Sequence, residues 1–238
     1  RDSGIFIDLP ENTIHILDYA FTEMLNNAIE HSQSKEIGVL ITRDRTHVRF
    51  DVTDSGVGIF HHLMAKHGLR NELEAIQDLL KGKQTTDPQH HTGEGIFFTS
   101  KVADAFTIKS STKELTFNNL IDDIFVRDIK NRLGTKVIFT IMLNSIRSLE
   151  EVFGEYTTNS YEFDKTKVAV KLYKMGTLYI SRSQARRIMT GLEKFKTVVL
   201  DFTHIKSVGQ GFADEIFRVW RIHNPGIKIE AMNTNENI

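Results

Sequence analysis

Residues 47–54 (HVRFDVTD) alternate apolar and polar side chains without a break, and the apolar series Val48, Phe50, Val52 ends on Asp54. A period of two places one face of a strand against a core. The alternation therefore aims the Asp54 carboxylate inward where the strand ends, which is costly unless donors meet it. A chain with this feature needs a sheet with one buried face and a polar pocket at its end. Ile37 to Thr42 reads as the preceding strand, joined through the polar residues 43–46 into a hairpin.

Around this hairpin the apolar period changes. From Asn12 to His31, Ile14, Leu17, Phe21, Met24 and Ala28 recur at three and four, one stripe of an amphipathic helix with Asn12 or Thr13 as N-cap. After Gly58 comes a polar, His-bearing stretch, then a helix predicted from Arg70 to Leu80. KGKQTTDPQHHTG follows, too polar and too broken to pack. A helix from Gly95 to Ala105 precedes strands near 106–110, 115–117, 124–127 and 136–143. The only prolines, Pro10, Pro88 and Pro225, fall where the period breaks.

At 238 residues the chain has room for two modest domains. The pattern of the first ends at Leu143, which gives a first domain over 1–143, a connector over 144–166 and a second domain over 167–238. The second reads strand 168–172, strand 177–180, helix 183–195, strand 198–202, helix 211–223 and strand 227–231. Such alternation favours crossover connections and a partly parallel sheet.

The charge balance, 30 basic against 31 acidic residues, argues against nucleic acid as the main partner. Cysteine is absent, which excludes a disulfide framework, a thiolate nucleophile and a Cys-ligated zinc site, and fits a cytoplasmic location. Apolar runs of only a few residues predict no membrane span and a soluble chain. The chain opens on Arg1 with no apolar targeting segment.

Four pieces carry chemistry. Glu23 and Asn27 lie one turn apart on the first helix, suited to a water-polarising carboxylate and a neutral oxygen for a hard cation; alone, the pair reads more simply as a solvated helix face. DSGVG sets Gly56 and Gly58 after Asp54, so a flat ligand can lie on the backbone and its purine amino group can satisfy the carboxylate. A capped Gly-rich turn explains that motif equally well. HTGEGI places Thr92, Gly93, Gly95 and Ile96 at a helix start, where backbone N–H groups suit phosphate oxygens. Gly134 and Thr135 open the last strand of the unit. Neither a Walker A loop nor GxGxxG occurs.

In order and spacing, EMLNNAIEHS, DSGVG, HTGEGI and the GT pair resemble the N box and glycine boxes of the GHKL ATPase family, which includes gyrase, MutL, histidine-kinase and anti-sigma serine-kinase nucleotide domains. The resemblance covers residues 5 to 143. It implies a Bergerat-type α/β sandwich with a mixed sheet and ATP with Mg2+ as cofactors: Asn27 as metal ligand, Glu23 as general base, and Asp54 as adenine reader supported by Thr135. Gly56 and Gly58 would line the base, and Thr92, Gly93, Gly95 and Ile96 would serve the phosphates. His91 stands where many members carry glycine. The histidines His61, His62, His67, His90 and His91 read as solvated loop residues, and residues 61–92 as a lid.

VVLDFTHIKSVGQGFADEIF resembles the central strand, loop and helix of STAS domains, and more closely a STAS-like family that accompanies GHKL domains. The serine that phosphorylatable members carry at that helix start is replaced by 208–211, VGQG. Phe212, Ile216, Val219 and Trp220 should pack inward, leaving Asp214 and Glu215 exposed for a partner. Together the resemblances imply a bacterial regulatory protein in which an Mg-ATP-gated switch acts on a STAS-like module and a partner of sigma-factor or antagonist type, with room for a homodimer. An anti-sigma-type serine protein kinase and a nucleotide-binding pseudo-enzyme are the alternatives.

Overall fold

The computed structural model describes residues 4–81, 95–156, 167–172, 179–193 and 195–238. The chain divides into two compact units, Arg1–Glu155 and Tyr156–Ile238.

In the first unit, strands β1 (Ile37–Arg43), β2 (His47–Asp54), β3 (Ala105–Asn118) and β4 (Asp123–Met142) form a sheet in the order β1-β2-β4-β3. The α/β architecture is as expected. Every pairing among these strands is antiparallel, however, where a mixed sheet was expected. The reason is the connections: β1 to β2 and β3 to β4 are hairpins, and a hairpin reverses the chain. Val48, Phe50, Val52 and Asp54 are all buried, as the alternation requires. The expected breaks within β3 and β4 are β-bulges near Ser110 to Lys113 rather than strand ends.

Helix α1 (Glu11–His31) lays Ile16, Leu17, Ala20, Met24 and Ala28 on the sheet. Its N-cap is Pro10, with no side-chain cap. Asn12 is not the cap: its amide instead donates to the carbonyl of Arg147 at 3.0 Å. The polar stretch after Gly58 is helix α2 (Ile59–His67), anchored by buried Phe60 and Leu63. Helix α3 (Glu72–Leu80) is capped by Asn71 and buries Ala75, Ile76 and Leu79. Residues 61–81 are thus packed helix and turn, which corrects the first half of the expected lid. Residues 82–94 lie outside the described residues. Helix α4 (Gly95–Val102) packs on α1, and α5 (Leu149–Tyr156) sends Phe153 against Tyr19 of α1 and Phe98 of α4, with ring centroids 5.3 and 4.3 Å away.

In the second unit, β5 (Lys167–Lys171), β6 (Thr197–Asp201) and β7 (Lys228–Met232) pair in parallel in that order. Tyr179 and Ile180 are not strand, while residues 177–178 are outside the described set. Helix α6 (Arg182–Met189) opens on a Ser181/Gln184 capping box. It stops short of the expected Phe195 because Thr190 leaves helical geometry and Gly191 takes φ 78°. Helix α7 (Gln210–Asp214) continues through a π-helical stretch, Glu215–Trp220, into α8 (Arg221–His223). Wider π turns bring Phe217 to the core beside Phe212, Ile216 and Trp220.

Candidate functional site

The pocket demanded by Asp54 is built by backbone. Asp54, 5 % exposed, accepts from the N–H of Gly56 at 2.9 Å and of Thr135 at 3.2 Å, both on Oδ1. Its Oδ2 has no partner among the described residues. The Thr135 hydroxyl accepts from the N–H of Ile59 at 2.9 Å and so ties β4 to the start of α2. Thr135 thus supports Asp54 through its main chain and holds α2 with its side chain.

The glycines of DSGVG are required first by the protein's own packing. A Cβ on Gly56 would lie 1.8 Å from the carbonyl oxygen of Ser32, which accepts from Val57 N at 2.8 Å. Gly58 has φ 78° and faces the Ser110 hydroxyl and the Gly134 carbonyl. Gly134, at φ 71°, abuts the Asp54 main chain. These close approaches hold the end of α1, the strand end and α2 as one rigid corner around the Asp54 carboxylate.

On α1, Glu23 and Asn27 are both half-buried, while Asn26 is exposed. Asn27 makes no side-chain hydrogen bond among the described residues. Glu23 faces the start of α4: a Cβ on Gly95 would fall 2.0 Å from its Oε2. A carboxylate at a helix N-terminus is electrostatically favoured. Ile96 follows on α4, half-buried, and Thr92 and Gly93 lie outside the described residues. The structure therefore brings Glu23 to Gly95, and Asp54 to Gly56, Gly134 and Thr135. The donor set near α1, a carboxylate and an unpartnered amide oxygen, is chemically fit for Mg2+, which prefers hard oxygens and retains waters and phosphate ligands.

The histidines are not uniformly solvated. His62 stacks on His31 at 5.8 Å, with its Nε2 shut off from solvent and unpartnered. Burial, with the nearby charges of His31, Lys66 and His67, holds its pKa below the usual imidazole value. His67 Nδ1 lies 2.6 Å from Asp78, which also pairs with buried Lys81. Among the described residues no group of three His, Cys, Asp or Glu side chains could hold a metal. His90 and His91 are outside them. Sequence reasoning missed Ser32, Ser110 and Ile59, whose polar backbone and hydroxyl groups build the corner; nothing in their local pattern marks them.

In the second unit, Gly209 donates to the carbonyl of Tyr179 at 2.6 Å, and a Cβ there would meet Ile180 backbone at 2.6 Å. Steric contact thus demands glycine at this position of the loop before α7. The expected exposed acids are engaged instead. Glu215 is 4 % exposed and accepts from Arg186 at 2.6 Å, while Asp214 pairs with Arg182 at 2.9 Å and with Arg218. Two arginines of α6 lie one turn apart opposite these acids, so the pairs clamp α6 to α7 and to the π-helical stretch that continues it.

No helix among the described residues is long and apolar enough to cross a membrane. No curated protein matches the chain. Among solved structures, the chain is similar to the 43K ATPase domain of Thermus thermophilus gyrase B in complex with an aminocoumarin, at 17 % identity and a TM-score of 0.33; the match covers 60 % of this chain and 35 % of that one. The chain thus spans about a third of that protein's length. Residues 184–238 match a STAS-like domain of unknown function. Residues 6–124, half of the chain, match the histidine kinase-like ATPase domain, and with Asp54, the N-box helix and the start of α4 all inside that span, the chain belongs to the histidine kinase-like ATPase family.

Proposed function

We propose that the first unit is an Mg-ATP-gated switch that acts on the STAS-like unit and, through it, on a regulatory protein partner of sigma-factor or antagonist type in a bacterial cytoplasm. Asp54 accepts the adenine amino group on its free Oδ2, Asn27 holds Mg2+, and Glu23 faces the phosphates at the start of α4, where Thr92, Gly93, Gly95 and Ile96 supply the cradle. When bound, Mg2+ offsets the charge of the phosphate oxygens. The observation that carries the switch reading is the position of α4. Its first residue, Gly95, lies against Glu23, and three residues on, the Phe98 ring packs at a tilt against Phe153 of α5. Helix α5 is the last element before the second unit. A shift of α4 on nucleotide binding is therefore felt at the segment that leads out of the unit.

The same carboxylate favours a second reading, an anti-sigma-type serine kinase. There Glu23 takes the proton from a protein hydroxyl as the γ-phosphoryl is transferred. Hydrogen exchange with and without Mg-ATP tests the switch: protection should rise at residues 82–102 and change in the second unit. An unresponsive second unit rejects the coupling. Labelled phosphate on a partner serine decides for the kinase.

A further inference from the structure

A cleft of about 140 Å³ lies between the start of α2 and the bulged part of the β3–β4 hairpin, lined by Val57, Gly58 and His61 on one side and Ser110, Ser111 and residues 131–134 on the other. At about 30 Å³ per water it has room for about five waters. The bulge creates it. Ser110 pairs with Thr135 but Ser111 pairs with Arg132, so Leu133 and Gly134 are extra residues on β4, and Ser111 sits at φ 50°. Such bulges re-aim side chains at a sheet's end.

The cleft's chemistry is one-sided. The Arg132 side chain makes no hydrogen bond or ion pair among the described residues, and its Nε is shut off from solvent without a partner. A buried guanidinium donor left unpaired is destabilising. Beside it stand the Ser111 hydroxyl, 3.4 Å from His61 Nε2, and the exposed amide of Asn131. Helix α2 starts at this wall with no side-chain cap and no acidic residue in its first turn. Two carboxylates stand near but outside the lining: Glu72, engaged by the N–H and hydroxyl of Thr112 and by Ser111, and Asp54, whose Oδ1 beside Gly134 accepts from the N–H groups of Gly56 and Thr135. No side chain lining the cleft is acidic, and Arg132 is the cation among them.

We propose that this cleft binds a small oxyanion, a phosphate or carboxylate group, with the Arg132 guanidinium as its fork and the Asn131 amide as a flanking donor. The site goes beyond the nucleotide reading, since it uses neither Asn27, Glu23 nor the Asp54 carboxylate.

Amide NMR on the whole chain tests it, titrating inorganic phosphate in one arm and acetate in another, with ionic strength held constant by chloride. The expected result is saturable shifts at Gly58, His61, Ser110, Ser111 and Gly134 in at least one arm, retained when a non-hydrolysable ATP analogue is present. Arg132→Gln should weaken them at least tenfold, whereas Lys130→Gln, an exposed neighbour, should not. The first spectrum of each variant reports its fold. Response to phosphate alone assigns a phosphate site, and response to both assigns a general oxyanion site. Shifts that never saturate, that survive Arg132→Gln, or that vanish with the ATP analogue overturn the proposal. Saturation and the Arg132→Gln comparison do not depend on ATP binding at Asp54, so the two readings fail separately.

Discussion

The N–H of Thr135 on β4 donates to Oδ1 of Asp54 at the end of β2, 3.2 Å away, and the N–H of Gly56 takes the same oxygen at 2.9 Å. Two backbone donors on one oxygen fix which oxygen faces outward. In Asp54→Asn the side-chain oxygen should stay with those donors, which turns the NH2 group to the Oδ2 position. There it opposes the adenine amino group donor to donor. ATP affinity should fall by about 10- to 100-fold, the loss of a charge-assisted bond worth about 1.5–3 kcal/mol. Calorimetric titration measures it, and unchanged affinity would remove adenine from Asp54.

Glu23 and Asn27 should separate binding from turnover. With no hydrogen bond of its own among the described residues, Asn27 can be truncated without orphaning a protein partner. Asn27→Ala should therefore keep the fold and abolish the Mg2+ dependence of ATP binding. Glu23→Ala should bind ATP and lose whatever slow hydrolysis or transfer the wild type shows, by about 100-fold or more for a general base. Paired calorimetry and phosphate-release assays check both; native-rate turnover in Glu23→Ala would take the base assignment away.

Most of the first unit was legible because its periods are clean. Val48, Phe50, Val52 and Asp54 announce a half-buried strand, and Leu17, Met24 and Ala28 an amphipathic helix, and all of these are buried. What local pattern could not show was long-range. The break at Ser110 to Lys113 looks like a strand end, since a bulge and a turn use the same polar residues. Helix α2 carries three histidines and a lysine in nine residues, yet Phe60 and Leu63 seat it. Glu215 reads as a surface residue until α6 brings Arg186 across to it. Likewise Gly56 was legible as a close-approach glycine, but not that the approach is to the Ser32 carbonyl of α1.

Gly134 and Gly154 should respond to alanine in opposite directions. At Gly134 the φ of 71° disfavours a side chain, and a Cβ would fall 2.2 Å from the Asp54 carbonyl oxygen, a backbone atom that cannot swing away. Gly134→Ala should cost about 1–3 kcal/mol or more. Gly154 lies within α5 with nothing within 4 Å of an added Cβ. Gly154→Ala should stabilise by about 0.5–1 kcal/mol through helix propensity. Urea unfolding followed through the first unit's signal compares them; equal effects would mean that the corner at Asp54 is not rigid.

His62 should make the first unit acid-sensitive. Its ring is stacked on His31 of α1, its Nε2 is sealed without an acceptor, and the charged neighbours His31, Lys66 and His67 add to the cost of a proton there. Burial is the largest cause of its lowered pKa. Because the folded value lies below the unfolded one of about 6.5, the unfolded chain binds more protons in that range. The contribution to stability is therefore full above pH 6.5 and is lost as pH falls from there through the folded value. In His62→Gln, which keeps a polar side chain but cannot gain a proton, that part of the slope should vanish, so the stability difference between wild type and variant should be constant above pH 6.5 and shift against the wild type as pH falls from there through the folded value. Denaturant midpoints from pH 5 to 8 measure the difference, and parallel curves across that range would show that His62 does not titrate between the folded and unfolded states.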